Sequence, residues 1–208
     1  MLEVGYSERS QEVKKITIMF KEGSFIQRLF SWLRRRFLKI FYIRNKVEYA
    51  RKLGVRIGKG SNFVSMPSFG SEPWIITIGD NVNVSSNVSF ITHDGGRWVL
   101  DHLYPNEAPF YKIEPITLKN NIFIGANTMI LPGVVIGNNC VVGGGSIVTK
   151  SIPDGEVWAG VPAKKVCTIE EYKERMMARK IPINFDNYWR NKEKEIKRVF
   201  KDYLSNNE

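Results

Sequence analysis

The chain has 208 residues, of which 43% are hydrophobic and 25% are charged, and its net charge at pH 7 is +10. This length suits one domain with small appendages, and the composition is ordinary for a globular protein. The positive charge is local, because residues 24–52 hold nine basic and one acidic side chain and so carry +8 of the total. A basic groove along the whole fold is therefore excluded, and we expect no nucleic-acid partner.

Neither the cysteines nor the hydropathy predicts a secreted or membrane-spanning protein. Cys140 and Cys167 are too few for a disulfide framework, which favours a reducing, cytoplasmic location. The first twenty residues lack a signal-peptide core. Because no run of about eighteen uncharged apolar residues exists, we predict no transmembrane helix.

The N-terminal segment, residues 1–54, is predicted to contain a basic amphipathic helix. Residues 15–20 suit a short strand, although no partner is evident. From Ser24 to about Arg51, apolar side chains recur at three- and four-residue steps, and Arg28, Arg35 and Lys39 lie on another face. Such a helix can lie on an anionic membrane surface or pack across the end of the domain, and the sequence leaves both alternatives open.

A six-residue repeat dominates the second half of the chain. Aliphatic residues recur at intervals of six without a slip, at Leu118, Ile124, Ile130, Ile136, Val142 and Val148. A second, smaller set lies four positions further on, at Ile122, Thr128, Val134, Cys140, Ser146 and Ile152. A period of six fits neither a helix nor a hairpin and is typical of a parallel β-helix.

An earlier block carries the same repeat. Its positions are Ile57, Phe63 and Phe69, and then, after an insertion, Ile78, Val84 and Phe90. Since three hexapeptides close one coil, we expect about two coils in each block, with aliphatics of the second block stacked eighteen residues apart. Turns with positive φ are predicted at Asn120, Asn121, Asn138 and Asn139.

Residues 91–115, here called the inserted loop, separate the two blocks and break the period. The loop contains both histidines of the chain, His93 and His102, together with Trp98, Tyr104 and Tyr111. Long aperiodic connections inside a compact repeat are uncommon and are usually functional. We therefore place the candidate site in this loop.

The C-terminal segment, residues 167–208, is predicted to be helical. Thr168 and Glu171 form a capping box for a helix that ends at about Arg179. Asp186 is predicted to cap a last helix, with Trp189 among its apolar residues. We expect these helices to cover the far end of the β-helix domain, residues 55–166.

Residues 55–166 resemble the hexapeptide-repeat acyltransferases, and among them the CoA-dependent sugar, capsule and xenobiotic O-acetyltransferases. The resemblance rests on the repeat, on the segment from Phe90 to Gly96, and on the segment GGGSIVTKSIPDGEVWAGVPAKKV from Gly143 to Val166. It implies a mainly β fold, a left-handed parallel β-helix with an extended loop and flanking helices. It also implies a homotrimer that binds acetyl-CoA as co-substrate between subunits, without a metal.

The same resemblance implies that His93 is the catalytic histidine. As general base it would take the proton of an acceptor hydroxyl while that oxygen attacks the thioester, with no acyl-enzyme, and an imidazole titrating near pH 6.5 in water suits this role. Asp94 and Glu114 are candidates to orient it. The candidate acceptor-site residues are His102, Ser65, Trp98 and Tyr104. Ser65 stands where several relatives have an asparagine, and the two aromatic rings suit stacking on a sugar.

Co-substrate contacts follow from the resemblance as well. Ala126 and Gly144 match backbone sites that contact the pantetheine arm. Thr149 and Lys150 match residues near the adenine end. The basic pair near the CoA phosphates is Lys164 and Lys165.

Several functions are compatible with these motifs. The first is acetyl transfer from acetyl-CoA to a saccharide hydroxyl, in a capsule, lipopolysaccharide or other glycan precursor. Alternatives are an antibiotic O-acetyltransferase, an N-acetyltransferase acting on an amino sugar, and a non-catalytic β-helix scaffold. A zinc hydratase built on this fold needs three histidine ligands, and two histidines do not suffice unless a cysteine or carboxylate replaces one.

Overall fold

The computed structural model describes residues 45–107 and 111–201. The predicted strand at 15–20 and most of the predicted basic helix lie outside these residues, so membrane contact by that helix stays a prediction. Among the residues that the structure describes, no helix is long and apolar enough to cross a membrane.

The six-residue repeat forms a parallel β-helix, as predicted. The first block contains β1 (Arg56–Ile57), β2 (Asn62–Phe63), a 3-10 turn (Pro73–Ile75), β3 (Ile76–Ile78), β4 (Val82–Val84) and β5 (Ser89–Phe90). The second block contains β6 (Ile116–Leu118), β7 (Ile122–Ile124), β8 (Met129–Ile130), β9 (Val135–Ile136), β10 (Cys140–Val142) and β11 (Ile147–Val148). Each coil contributes one strand or bridge to each of three parallel sheets, which makes the cross-section triangular.

Neighbouring strands define the three sides. The first sheet has the order β1-β3-β6-β9, the second contains β2-β4-β7-β10, and the third has the order β5-β8-β11. Both sets of repeat residues are buried along the axis. Burying such a side chain stabilises the fold by about 1.5–3 kcal/mol, and each coil obtains that burial from its neighbours.

The register between coils is eighteen residues in the second block, as predicted. Leu118 pairs with Ile136, and Ile124 pairs with Val142. In the first block the register is 21 residues, as the pairing of Phe63 with Val84 shows, because the insertion lengthens that coil. The inserted loop is looped out without disturbing the stack, since Ile78 still pairs with Leu118.

The asparagine prediction is correct at two of four positions. Asn121 and Asn139 have φ of 56° and 58°, the left-handed region that asparagine tolerates. Asn120 and Asn138 do not have positive φ and instead form a ladder, in which Asn138 Oδ1 accepts from the Asn120 N–H at 3.1 Å. Further asparagines with positive φ, at Asn81, Asn87 and Asn127, were not predicted.

Helix α1 (Lys46–Leu53) packs across the N-terminal end of the β-helix. Ala50 is fully buried in the core, and the Arg51 guanidinium donates to the Ile57 and Gly58 carbonyls at 2.9 Å. The prediction of one helix from Ser24 to about Arg51 is wrong at Asn45, whose φ of −132° is not helical and whose side chain caps α1. The described end of the basic segment therefore covers the sheet edge.

The inserted loop contains a short helix, α2 (Arg97–Leu103). At its base, residues 92–94 and 112–114 pair in antiparallel fashion, with a bridge between His93 and Ile113. The Glu114 N–H donates to the Thr92 carbonyl at 2.8 Å and the Asp94 N–H to the Lys112 carbonyl at 3.0 Å. The loop therefore leaves and rejoins the coil at one corner.

The C-terminal end of the β-helix is covered by a hairpin that the sequence did not predict. Strand β12 (Glu156–Gly160) continues the second sheet, and β13 (Ala163–Thr168) pairs with it in antiparallel fashion after a cis Val161–Pro162 bond. Helix α3 (Ile169–Ala178) follows, with the predicted capping box of Thr168 and Glu171.

The last predicted helix is instead two short ones. Helix α4 (Phe185–Arg190) is capped by Asn184 and α5 (Lys192–Val199) by Asn191, so the cap predicted at Asp186 is wrong. Asn191 has a non-helical φ of −153°, which separates the two helices. Trp189 is 80% exposed and does not lie on a buried face.

Candidate active site

The coil register places Glu72 beside His93. Ser68 bridges to Ser89 with the 21-residue offset of the first block, and the same offset brings residue 72 alongside residue 93. Both residues lie at the corner that follows the third sheet. Glu72 was not among the residues predicted from the sequence. The signal that would have identified it is the constant offset of 21 residues between Ile57, Phe63 and Phe69 and Ile78, Val84 and Phe90.

Glu72 holds the imidazole of His93. A single oxygen, Glu72 Oε2, lies 2.9 Å from His93 Nδ1 and accepts the Thr92 hydroxyl at 2.6 Å. Thr92 is fully buried, the Glu72 side chain is 19% exposed and the His93 side chain is 45% exposed. Since an ionised carboxylate only accepts, Nδ1 carries the proton and Nε2 keeps a free lone pair.

The environment keeps the Glu72 carboxylate ionised at neutral pH. The Thr92 hydroxyl, and next the His93 imidazole, donates a hydrogen bond that lowers the pKa of Glu72 below its ordinary value. A carboxylate in this position fixes the tautomer of the imidazole and stabilises the imidazolium that forms when Nε2 takes a proton. The arrangement is suited to general-base chemistry.

A cleft opens at His93, between the corner of the coil and the inserted loop. Its volume is about 440 Å³. The lining residues are Ser71, Glu72, His93, Asp94, Gly95, Arg97, Trp98, Asp101, Tyr111, Lys112 and Ile113. Of the predicted site residues, the structure thus brings His93, Asp94 and Trp98 together.

Asp94 and Glu114, the two candidates to orient the imidazole, have other partners in the structure. Asp94 Oδ1 accepts the N–H of Gly96 at 2.8 Å and shapes the turn that precedes α2. The Glu114 carboxylate lies 3.8 Å from Lys112 Nζ. In the described part of the chain the hydrogen-bond partner of the imidazole is Glu72, because the coil register, and not nearness in sequence, decides which carboxylate reaches it.

The other acceptor-site candidates have different surroundings. His102 packs against Trp98, with ring centroids 5.0 Å apart and Nδ1 2.6 Å from the Trp98 carbonyl oxygen. Tyr104 ends α2 and does not line the cleft. Ser65 lies at another corner, between the second and third sheets, where its hydroxyl accepts the Asn87 N–H at 3.1 Å.

The candidate pantetheine residues share that other corner. Ala126 and Gly144 are stacked on successive coils, and the Gly145 N–H donates to the Ala126 carbonyl at 2.7 Å. A Cβ on Gly125 would lie 2.3 Å from the Gly144 nitrogen, so only glycine fits there. No large side chain therefore projects from this corner, and a narrow ligand chain can lie along the backbone there.

The candidate residues for the far end of the co-substrate lie near the C-terminal end of the β-helix. Thr149 and Lys150 are exposed and follow β11. Lys165 Nζ lies 2.7 Å from Glu156 Oε1, and this contact raises the pKa of Lys165 and lowers that of Glu156. Lys164 is exposed, and none of the described carboxylates lies within ion-pair distance of it. Of the predicted basic pair, Lys164 is thus the free cation.

Among residues 45–107 and 111–201, no three His, Cys, Asp or Glu side chains form a cluster that a metal ion would need. The polar groups of the cleft suit acid–base chemistry on an organic substrate.

Comparisons with known proteins identify the family of the repeat and relatives of the chain. Residues 115–150 match the family described as bacterial transferase hexapeptide (six repeats). Protein CapG of Staphylococcus aureus is 43% identical over 147 residues, which are 70% of this chain and 84% of that protein. Galactoside O-acetyltransferase of Escherichia coli (strain K12) is 43% identical over 100 residues, 48% of this chain and 47% of that one.

Among solved structures, the chain is similar to a hexapeptide-repeat acetyltransferase from Vibrio cholerae complexed with acetyl coenzyme A. The identity is 28%, the match covers 55% of this chain and 60% of the other, and the TM-score is 0.48.

The family match and the relatives confirm the predicted fold class, a left-handed parallel β-helix flanked by helices, and the predicted acyltransferase activity. With 43% identity across 84% of a relative, and a matching repeat, the chain belongs to the bacterial hexapeptide transferase family.

Proposed function

We propose that the protein moves an acetyl group from acetyl-CoA to a hydroxyl of a saccharide, in a capsule, lipopolysaccharide or other glycan precursor. The observation that carries the proposal is the imidazole of His93, held through Nδ1 by an ionised carboxylate with Nε2 left free beside an open cleft. The relative named galactoside O-acetyltransferase supports a sugar hydroxyl as acceptor.

His93 acts as general base in the proposed reaction. Its Nε2 takes the proton of the acceptor hydroxyl as that oxygen attacks the thioester carbonyl, and returns the proton to the sulfur that leaves. Glu72 remains ionised throughout and stabilises the transient imidazolium. Because the acetyl group passes directly to the acceptor, no residue of the chain is acylated, and the gain comes from proton transfer and from holding both substrates together.

The residues at the corner between the second and third sheets fit the co-substrate. Acetyl-CoA supplies an activated acetyl thioester on a long, narrow arm. Ala126 and Gly144 offer a line of small residues for that arm, and their turn N–H groups suit the oxyanion. Thr149 and Lys150, which follow β11 of the third sheet, and Lys164 on β13 are exposed, and the two lysines offer the cations that the nucleotide phosphates need.

We propose that the active protein is a homotrimer with the co-substrate between subunits. Within one chain, His93 lies at the corner after the third sheet, while Ala126 and Gly144 lie at the corner before it. The full width of the third sheet separates the two corners. A neighbouring chain that places its Ala126 corner against the His93 corner would complete the site.

The test of the function is the His93→Ala variant. We expect turnover, measured as release of free CoA with a saccharide acceptor, to fall by on the order of 10²–10⁴, because the general base is lost. Acetyl-CoA affinity and the thermal midpoint should stay close to wild type, since the imidazole is partly exposed and contributes no core packing. Wild-type turnover in this variant would reject the mechanism.

The acceptor is identified by the same assay. A screen of sugars, nucleotide sugars and glycan oligomers, alongside amino sugars, streptogramin and chloramphenicol, separates the saccharide O-acetyltransferase from the N-acetyltransferase and the antibiotic-modifying enzyme. A protein that neither binds acetyl-CoA nor releases CoA with any acceptor would instead be a scaffold.

A further inference from the structure

The cleft beside His93 carries an excess of negative charge. Its lining contains three carboxylates, Glu72, Asp94 and Asp101, and two cations, Arg97 and Lys112. The carboxylates of Glu72 and Asp94 are held by hydrogen bonds to the His93 ring and to the Gly96 N–H. An acceptor that enters the cleft therefore meets a net negative surface.

Each cation of the cleft has a carboxylate neighbour, which for Arg97 is at hydrogen-bond distance and for Lys112 is at the longer distance of a loose ion pair. Arg97 Nε lies 2.9 Å from Asp101 Oδ2, and the guanidinium lies 4.0 Å from the centroid of the Tyr111 ring. Lys112 Nζ has Glu114 at 3.8 Å. Recognition of a carboxylate or phosphate on a sugar needs a cation with free donors, usually an arginine that forms a bidentate pair. Arg97 is instead used to join α2 to the returning limb of the inserted loop.

Trp98 presents an apolar ring surface in the same cleft. The residue is 73% exposed, and one side of its ring packs on α2. The backbone N–H of Trp98 donates to the Gly95 carbonyl at 3.1 Å, and the indole ring itself packs against the His102 ring, with centroids 5.0 Å apart. A large aromatic surface held in this way suits the apolar C–H face of a sugar ring, which carries no charge.

We infer that the acceptor ring held in this cleft stacks on Trp98 and carries no negative charge, so that acidic and phosphorylated saccharides are rejected. The inference rests on the proposed function, which it narrows to a class of acceptor. Asp101 is assigned as a specificity-determining residue, because it both adds negative charge and occupies the guanidinium of Arg97.

Matched pairs of acceptors test the inference on the full-length protein. Glucuronamide and glucuronate, and 6-O-methylgalactose and galactose 6-phosphate, differ in charge and keep the same free ring hydroxyls. We expect kcat/KM for each neutral sugar to exceed that of its anionic partner by about tenfold or more, at low ionic strength, through like-charge repulsion. Salt should reduce the ratio, because screening weakens repulsion between exposed charges.

The Asp101→Asn variant sharpens the test. Removing this carboxylate frees the Arg97 guanidinium in the cleft, so the neutral-to-anionic ratio should fall several-fold through a gain with the anionic acceptor. Glu193→Gln is the matched control, because Glu193 forms a similar i,i+4 ion pair with Lys197, at 2.7 Å, on α5 and outside the cleft. The control should leave the ratio unchanged.

Trp98→Ala tests the stacking separately from charge. The KM for the neutral acceptor should rise about tenfold while the KM for acetyl-CoA stays constant, and Trp98→Phe should restore part of the loss. Equal or better use of anionic acceptors by the wild type, or an unchanged acceptor KM in Trp98→Ala, would overturn the inference and leave the proposed function standing. Absence of CoA release with every saccharide would reject the proposed function itself.

Discussion

In the proposed reaction, Glu72 is the residue that orients His93 as the base. The carboxylate holds Nδ1 at 2.9 Å and is itself kept ionised by the buried Thr92 hydroxyl. We expect Glu72→Gln to lower kcat by about 10- to 100-fold, because the amide no longer stabilises the imidazolium. The measurement is steady-state kcat at neutral pH with a saccharide acceptor, with the thermal midpoint recorded to separate a loss of catalysis from a loss of folding.

Glu114→Gln is the control for this change. Glu114 lies in the inserted loop, as His93 does. Its carboxylate pairs with Lys112 and makes no hydrogen bond to the imidazole in the described structure. Its kcat with a neutral acceptor should stay within about twofold of wild type. If Glu72→Gln left kcat unchanged, Glu72 would be a structural residue only.

Lys164 and Lys165 are adjacent in sequence but differ in what they can bind. Lys165 is paired with Glu156 at 2.7 Å, whereas Lys164 is exposed and free of any described carboxylate. We expect Lys164→Gln to raise the KM for acetyl-CoA by about three- to tenfold through loss of a phosphate contact. The double variant Glu156→Gln with Lys165→Gln, which removes the ion pair as a unit, should change that KM by less than about twofold. The opposite ranking in steady-state kinetics would assign the phosphate contact to Lys165.

At the scale of elements, Glu195 joins the two C-terminal helices. Its side chain is 2% exposed and accepts the Asn184 N–H at 2.7 Å and the Arg198 guanidinium at 2.6 Å. The Arg198 hydrogen bond, and next the Asn184 N–H, lowers the pKa of Glu195 from 4.5 to about 2. The resulting stability is fully present above the unfolded value of 4.5 and is lost as pH falls toward 2.

We therefore expect α4 and α5 to lose amide-exchange protection between pH 4.5 and 2, with the β-helix strands as internal reference. Glu195→Gln should exchange about tenfold faster at pH 7 in residues 184–199 and should show little further change on acidification. Glu193→Gln, on the exposed face of α5, is the matched control. Equal exchange in the two variants would show that Glu195 does not join the helices.

The fold was more predictable from the sequence than the site. The six-residue period of Leu118 to Val148 specifies inward positions, and the eighteen-residue stacking follows from the closure of a coil by three hexapeptides. Strand β13 was not predicted, because residues 163–168 pair with β12 in antiparallel fashion and carry no repeat. The helix bounds were also mispredicted, because Asn45 and Asn191 each cap the start of a helix at a position where the apolar periodicity continues without a break.

The site residues depend on which coils are neighbours. His93 was identified by resemblance, but its partner lies 21 residues earlier, where sequence proximity gives no signal. Asp94 and Glu114 are the carboxylates nearest to His93 in the antiparallel pairing at the base of the inserted loop. Both have partners within that loop, the Gly96 N–H and the Lys112 ammonium. The pairing of Glu72 with His93 follows only when the 21-residue offset between the repeat positions of the first block is extended to the residues after Phe69 and Phe90.

At the scale of the whole molecule, the β-helix separates the groups that the proposed reaction must unite. His93 and Glu72 lie at the corner after the third sheet, and Ala126 and Gly144 at the corner before it. A rigid stack of coils cannot bring these corners closer, since the register of its strands is fixed by core packing. Outward apolar side chains, such as Phe123 on the second sheet at 43% exposure, are available to bury against a neighbour.

The proposed trimer can be tested by complementation between two inactive variants. Light scattering of the wild type should give about three times the 23.9 kDa chain mass. His93→Ala removes the base, and Ala126→Tyr fills the corner proposed for the pantetheine arm, so each homotrimer should be inactive. After unfolding and refolding as an equimolar mixture, a site between neighbours is intact when one chain supplies His93 and the next supplies Ala126. Random assembly makes this about a quarter of all sites, so about a quarter of wild-type activity should return. A site contained within one chain would give none, because every chain in the mixture carries one lesion.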